Sequence, residues 1–252
     1  MQPLYELGGY REYAPPADLR SIVECSWTYE HPGEGEVAHR VLPDLNVTIN
    51  LESTKGLVFI GPIDEARVFR PRAGERIQAV RLNAEWCRPL LGIDPAEHHN
   101  CVRPLFELAP KLARSLAGAD DIIEAVLAAI RERRDAARDD RDVKLAHSAL
   151  EIIRRRPARV ASVARALHIS ERHLRRAIVT STGNAPKQVQ RVRRLNRAVA
   201  AADRSAEPDW VEIALSAGFY DQAHFIQDVR AMTGQTPTEL HAERRTQTVS
   251  SS

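Results

Sequence analysis

The sharpest chemical signal in the sequence is a group of three arginines. Arg172, Arg175 and Arg176 stand three and four residues apart, so on a helix they share one face; Leu174 and Ile178, four apart, share another. A guanidinium fork donates two hydrogen bonds at once, and guanine presents O6 and N7 as a matching acceptor pair in the major groove. A helix that buries leucine and isoleucine and presents arginine is chemically suited to reading bases. The competing reading is a face that is merely solvated, so the elements around the arginines must decide.

Those elements form a duplicated unit. Val163-Ala164, Leu167, Ile169, Ser170 and Leu174 lead to Thr182-Gly183-Asn184-Ala185-Pro186. Ile213-Ala214, Ala217, Phe219, Asp221 and Phe225 lead to Thr233-Gly234-Gln235-Thr236-Pro237. The two Thr-Gly-x-x-Pro endings lie 51 residues apart and the two β-branched-Ala starts 50 apart, so one residue is inserted in the second turn. Such spacing implies a repeated supersecondary unit. Ala164 and Ala214 supply the small residue needed where two helices cross. Ser170 is a good N-cap, and Gly183 and Gly234 suit the left-handed residue that ends a helix. Two helices joined by a short turn, the second offering a free face, make a helix-turn-helix.

Charge agrees with that placement. Of the 252 residues, Met1 to Asp142 hold 18 Lys and Arg against 24 Asp and Glu, a net of −6; Val143 to Ser252 hold 18 against 10, a net of +8. The basic half seeks a polyanion and the acidic half does not. No run of eighteen apolar residues marks a membrane span, and Met1 to Tyr10 lacks the basic and apolar stretches of a secretory signal. A cytoplasmic protein with no membrane partner is expected. Cys25, Cys87 and Cys101 are odd in number and scattered, which predicts buried or partly buried thiols and neither disulfides nor a zinc site. The adjacent His98 and His99 point different ways and lack a third ligand, so a solvated pair is expected and no metal or cofactor. A Gly-x-Ser-x-Gly elbow and a phosphate loop are both missing, so no enzyme chemistry is expected.

The chain from about Val143 to Arg245 resembles the AraC/XylS family of transcriptional regulators. The resemblance rests on Val163-Ala164, Ser170 to Arg176, Gly183, Pro186, Arg194 to Ala198, Glu212-Ile213-Ala214, Gly218-Phe219, Gln222, His224-Phe225 and Gly234 to Pro237. It implies seven helices and two helix-turn-helix units on a rigid linking helix, inserted in successive major grooves of promoter DNA. By position it makes Arg172, Arg175 and Arg176 the base readers of the first unit. Gln222, Ala223, Ile226 and Gln227 are those of the second. Phosphate contacts are expected from Ser170, Lys187, Arg191, Arg193, Arg194 and Arg197, with Arg194 equally readable as structural, folded against the first unit. The chain departs from the family in its second unit. Gln227 stands where arginine is common, Val229 replaces the usual phenylalanine, and Asp221 and Asp228 flank the helix. Its amide and apolar groups suit adenine and the thymine methyl, so the first unit is expected to read G·C pairs with most of the affinity and the second to add A·T preference.

The first half reads differently. Val47 to Leu51 and Ile77 to Leu82 alternate with period two, Leu57 to Ile60 is a short apolar run closed by Gly61-Pro62, and Gly33-Glu34-Gly35 and Pro43-Asp44 mark turns. From Pro95 the period becomes helical, with helices expected over Pro104–Leu116 and Ile122–Ile130, followed by a charged helix end or linker from Arg131 to Asp142. Tyr10 to about Gly118 resembles a sensor-like domain often fused ahead of AraC-type readers, through Tyr13-Ala14-Pro15-Pro16, Trp27, Val41 to Asp44, Gly61-Pro62 and Arg81-Leu82. Ala84-Glu85-Trp86 stands where that pattern usually has Pro-Gly-Ala, which leaves the local turn open. The expected fold is thus an α+β domain over 1–138, a small sheet or partial barrel with helices packed on it. An all-α double helix-turn-helix domain over 143–246 and an unstructured tail over 247–252 follow. Trp27, His39 and Trp86 are candidate pocket residues for a small-molecule effector, although both tryptophans read more readily as core or interface residues. Duplex DNA is the expected partner, with RNA polymerase and a second subunit as further candidates. A constitutive DNA binder with a pairing domain is the alternative, and an enzyme fused to a DNA-binding module is a weaker one.

Overall fold

Strand alternation builds the first half. The computed structural model describes residues 5–7, 9–31, 33, 38–137, 140–155 and 157–249. Within them, strands β1 (Tyr5–Leu7), β2 (Tyr10–Tyr13), β3 (Val23–Glu30), β4 (His39–Val41), β5 (Val47–Glu52), β6 (Gly56–Ile60), β7 (Arg67–Phe69), β8 (Arg76–Leu82) and β9 (Val102–Pro104) pair antiparallel. The large sheet runs β1-β2-β3-β8-β5-β6-β9, and β4-β7 form a two-stranded sheet beside it. The turn expected at Gly33-Glu34-Gly35 falls largely outside the described residues. Period two divides the large sheet into two faces. Val47, Ile49, Val80, Leu82 and Phe59 point to one and are buried among Leu105, Leu116, Ile122 and Leu127 of the helices behind it. Each such side chain, fully buried, contributes about 1.5–3 kcal/mol relative to exposure.

Those helices are α1 (Cys87–Leu91), α2 (Leu105–Leu108), α3 (Pro110–Leu116) and α4 (Ile122–Ala137). The helix expected from Pro104 to Leu116 is in fact two. Pro110 lacks an N–H and forces its predecessor out of the helical region, so Ala109 sits at φ −139°, ψ 69° and α3 restarts from the proline. The charged run after Ile130 extends α4 to Ala137, and Arg131 and Arg134 hold Asp18 at 3.1 and 3.0 Å. Cys25 and Cys87 are buried, and burial pushes both thiols up.

The second half is helical throughout: α5 (Arg141–Arg155), α6 (Val160–Ala166), α7 (Glu171–Thr182), α8 (Pro186–Ala202), α9 (Trp210–Ala217), α10 (Gln222–Thr233) and α11 (Pro237–Val249). The last runs three residues into the expected tail; 250–252 lie outside the described residues. The duplicated Thr-Gly-x-x-Pro works the same way twice. The Thr182 hydroxyl donates to the Ile178 carbonyl at 2.8 Å and accepts from the Asn184 amide at 3.1 Å; Thr233 does so with Val229 and Gln235 at 2.8 and 3.2 Å. Gly183 and Gly234 follow at φ +72° and +76°, their amides closing onto Val179 and Arg230. Pro186 and Pro237 then open the next helix, where a missing N–H costs nothing.

The two halves meet over a buried ionic contact that centres on the uncertain turn. Ala84-Glu85-Trp86 folds as one 3₁₀ turn, and Glu85 has no exposed surface. Both its oxygens accept from Arg154 at 3.0 Å, and His147 Nδ1 lies 2.9 Å away; both partners belong to α5. Burial alone would raise the Glu85 pKa. The Arg154 charge and the hydrogen bonds from His147 and Arg154 outweigh it and bring the pKa from 4.5 down to about 2. Beside this contact the backbone of Gly183 presses on Ala96, so close that a Cβ on Gly183 would sit 2.6 Å from the Ala96 Cα.

Two predictions follow from this packing. Glu85→Gln leaves the largely buried Arg154 with only Glu151, at 3.2 Å, as counter-charge and lowers stability at pH 7 by about 3 kcal/mol in urea unfolding, the low end for breaking a buried pair. Because the folded pKa lies below the unfolded one, the contribution is complete above pH 4.5 and is lost as pH falls toward 2. The gap between wild type and Glu85→Gln therefore narrows over that window; a constant gap would show that the charge is not what matters. Gly183→Ala and Gly234→Ala share a left-handed penalty of about 1–2 kcal/mol, but a Cβ at Gly234 meets nothing within 4 Å. Gly183→Ala is expected to lose distinctly more, read as the difference between the two denaturant midpoints.

Candidate nucleic-acid interface

In each unit a short helix crosses into a turn, and the turn launches a longer helix. The first turn closes with the Ile169 amide on the Ala164 carbonyl at 3.0 Å, and the second with Phe219 on Ala214 at 2.9 Å. Ala164 and Ala214 are buried at these crossings, as a small residue there requires. The left-handed position of the turn is His168 at φ +54° in one unit and Gly218 at φ +95° in the other. Capping side chains start both long helices. Ser170 accepts from the His173 amide at 3.2 Å, and Asp221 from the His224 amide at 2.7 Å. The residue inserted in the second unit falls between Phe219 and the cap: it is Tyr220, 86% exposed.

The faces of α7 and α10 divide as helical spacing requires. Leu174, Ala177 and Ile178 are buried, while Arg172, Arg175 and Arg176 are exposed, with Arg175 3.4 Å from Glu171. On α10, Phe225 and Val229 are buried, and Gln222, Ala223, Ile226 and Gln227 are exposed. Each long helix thus presents its expected reading residues on a solvent face beginning at its N-terminal turn. That turn also carries the positive end of the helix dipole, which favours an approaching phosphate. Tyr220 stands at this edge of the second unit. The repeat spacing marks one inserted residue without naming it, and an aromatic beside an aspartate in that turn is the signal that points to Tyr220.

The six residues expected at phosphates sort into different places. Ser170 is exposed at its cap and Lys187 is exposed at the start of α8. Arg191 and Arg194 instead turn to Asp228, at 2.8 and 3.2 Å, and Asp228 also lies 3.5 Å from His224. Arg194 further stacks on the Phe219 ring at 5.0 Å, so it folds against the second unit and not the first. Arg193 lies 3.4 Å from Glu24 of β3. Arg197 donates to the Ile153 and Arg154 carbonyls, closing the C-terminal end of α5 where a cation is favoured. Four of the six candidates therefore have partners within the protein.

The three candidate pocket residues do not come together. Trp86 is buried in the helical core with its ring 5.6 Å from that of His147. Trp27 stands on the opposite face of the large sheet beside the Tyr10 ring. On that same face Tyr29 meets His39 and Phe69 of the small sheet edge-on, with ring centroids at 5.1 and 6.2 Å. A transverse row there runs Trp27, Ala79, Asn50, Val58. Trp27 Nε1, Tyr29 OH, His39 Nε2 and Asn50 Oδ1 are buried with no hydrogen-bond partner among the described residues, and Asn50 is only 2% exposed. Burial lowers the His39 pKa. Trp27 and His39 are legible in the sequence as pocket candidates, whereas Tyr29 and Asn50 read there as ordinary strand residues. His98, expected to be solvated, packs edge-on against Phe59.

Two family models match the chain. A helix-turn-helix domain, HTH_18, matches residues 163–243, and a domain of unknown function, DUF6597, matches residues 11–103. Among solved structures, a transcriptional regulator with an AraC-type DNA-binding domain from Chromobacterium violaceum is 27% identical, over 40% of this chain and 92% of its own, with a TM-score of 0.37. The C-terminal domain of AraT, a response regulator from Geobacillus stearothermophilus, is 22% identical over 42% and 89%, with a TM-score of 0.39. ToxT from Vibrio cholerae is 9% identical over 94% and 98%, with a TM-score of 0.46. No curated protein matches. Among the described residues no helix is long and apolar enough to cross a membrane. The duplicated units, their exposed reading faces and the family match over 163–243 agree: the chain carries a helix-turn-helix DNA-binding domain of the AraC/XylS type, with a separate domain, matched over 11–103, ahead of it.

Proposed function

We propose that this regulator reads a bipartite site unequally and answers to a small molecule held by its first domain. Arg172, Arg175 and Arg176 give the first unit its G·C preference and most of its affinity, because guanidinium contacts to guanine are strong and charge-assisted. Gln222, Ala223, Ile226 and Gln227 give the second unit an A·T preference with little charge. The internal use of Arg191 and Arg194 by Asp228 supports this ranking, since it removes cations from beside the second reader.

The small-molecule reading is carried by the unpaired polar atoms between the two sheets. A buried polar atom left without a partner costs about 1–3 kcal/mol, and Asn50, Tyr29 and Trp27 leave three such atoms on one face. The small side chain of Ala79 separates Trp27 from Asn50 in their row. A ligand with complementary donors and acceptors would recover the cost. Dimerisation alone would leave those atoms as they are. A thermal-shift screen of metabolites tests the reading, because a specific ligand raises the melting temperature by mass action. A hit is expected to lose its shift in Asn50→Ala; a hit that keeps it would place the ligand elsewhere.

Two measurements on DNA complete the test. In binding assays on a selected site, Arg176→Ala is expected to cost about 1–3 kcal/mol and more than Gln227→Ala; the reverse order would overturn the ranking. The salt dependence separates the phosphate candidates. Lys187→Ala should reduce the log–log salt slope by about 0.9, the contribution of one phosphate. Arg197→Ala should leave the slope unchanged and lower the stability of the protein.

A further inference from the structure

The first domain holds both readers at equivalent points. Gly183 and Gly234 end the two recognition helices, and the first domain touches both ends. At α7, Ala96 lies against Gly183. At α10, the Ala66 amide donates to the Met232 carbonyl at 2.7 Å and Arg40 Nη1 to the Thr233 carbonyl at 3.0 Å. Arg40 Nε also reaches both oxygens of Glu243 on α11 at 3.2 Å. The reading residues sit toward the opposite, N-terminal ends and stay exposed. The domain therefore grips both readers from behind.

The parts that grip are tied to one another. The segment 61–66 carries Ala66 at one end. At the other, Gly61 packs so tightly beneath the Pro95–His98 turn that a Cβ would lie 1.8 Å from the His98 carbonyl oxygen. Asn100 bonds back to this segment three times: its amide donates to the Pro62 carbonyl at 2.8 Å, its side-chain amide donates to the Asp64 carboxylate at 2.7 Å, and its side-chain oxygen accepts from the Asp64 amide at 3.2 Å. Asp64 in turn accepts from Gln188 of α8 at 2.6 Å. Arg40 joins through strand pairing, since Arg40 faces Val68 in the β4–β7 ladder just beyond Ala66. One short strut thus touches the end of the first reader through Ala96, the linking helix through Asp64 and the end of the second reader through Ala66.

We propose that this strut, with Arg40, sets the separation of the two recognition helices, so that the first domain determines the spacing between half-sites that the protein accepts. α8 holds α10 through Asp228 and a shared apolar core; contacts from the first domain at both recognition-helix ends brace that arrangement from outside. The inference rests on both units reading DNA, and it makes Arg40 and Asp64 positioning residues that touch no base.

The test uses the full chain and a random duplex library, then the selected half-sites at spacers lengthened and shortened by one to three base pairs. Wild type is expected to show one preferred spacer. Arg40→Ala is expected to reduce discrimination between preferred and displaced spacers by about tenfold, the worth of one charge-assisted hydrogen bond, while a single half-site binds as before. Arg40→Lys should restore part of it, and Glu243→Gln, altered on the other side of the same contact, should reproduce the loss if Arg40→Ala proves unstable. A spacer profile unchanged in shape in Arg40→Ala or Glu243→Gln, whatever happens to overall affinity, overturns the strut. Failure of wild type to select any site counts against DNA reading itself and removes the basis of the proposal.

Discussion

A carboxylate stripped of water costs several kcal/mol unless a cation and hydrogen bonds replace the lost solvation. Glu85 meets that condition with a two-pronged arginine and a histidine, and the way it does so organises the molecule. Its partners sit on α5, the helix that begins the reader, while Glu85 itself closes the last long strand of the sheet. Glu85 finds its cation only in the other half, whereas Arg154 also has Glu151 of α5 at 3.2 Å. The sheet domain and the reader are therefore bound by a penalty for separation, more than by a large attraction. That penalty keeps the face of α5 against the turn that follows β8, and the rest of the contact forms around it: the backbone of Gly183 on Ala96, Gln188 on Asp64, Arg193 on Glu24.

The duplicated unit shows how one local solution serves two different surfaces. Threonine, glycine and proline end one helix and start the next in both copies, with near-identical hydrogen bonds. Those residues act on their own backbone, so the copies agree wherever geometry is local. They differ where side chains meet what surrounds them. The first copy keeps its arginines in solvent. The second places Asp228 on the inner side of its reading helix, where it draws Arg191 and Arg194 away from solvent and aligns Arg194 on Phe219. Positive charge in the basic half is thus divided between holding the reader together and facing DNA, and net charge alone overstates the share left for phosphates.

The sheet domain has two unlike faces. One is apolar and closed by helices. The other carries polar groups under a two-stranded flap, and several of its donors and acceptors have no partner among the described residues. The same flap supplies Arg40 and leads from Ala66, so the strands that cover the polar face also touch the far end of the second reader. A change at that face has a short mechanical route to the DNA-binding half, through packed backbone and without a flexible linker.

What the sequence alone determined was whatever depends on near neighbours in the chain. Helical and strand periods, the cap at Ser170, the terminating glycines, the repeat and its single insertion all act within a few residues, and all could be placed on the α+β and double helix-turn-helix plan. The exposed arginines of α7 belong to the same class, because helical spacing sets a residue's face before any partner arrives. Even locally a rule could be missed: Pro110 splits a helix that apolar periodicity read as one. The tertiary structure decided which polar groups find partners far away. Arg191, Arg193, Arg194 and Arg197 look alike as a basic stripe on a helix, yet each is directed by a group 34 to 169 residues distant. Glu85 read only as an unusual turn residue, because its meaning lies 69 residues away in Arg154. Trp86 was separated from Trp27 by the sheet itself. Electrostatic pairing in a low-dielectric interior depends on distance in space, which the order of residues does not encode.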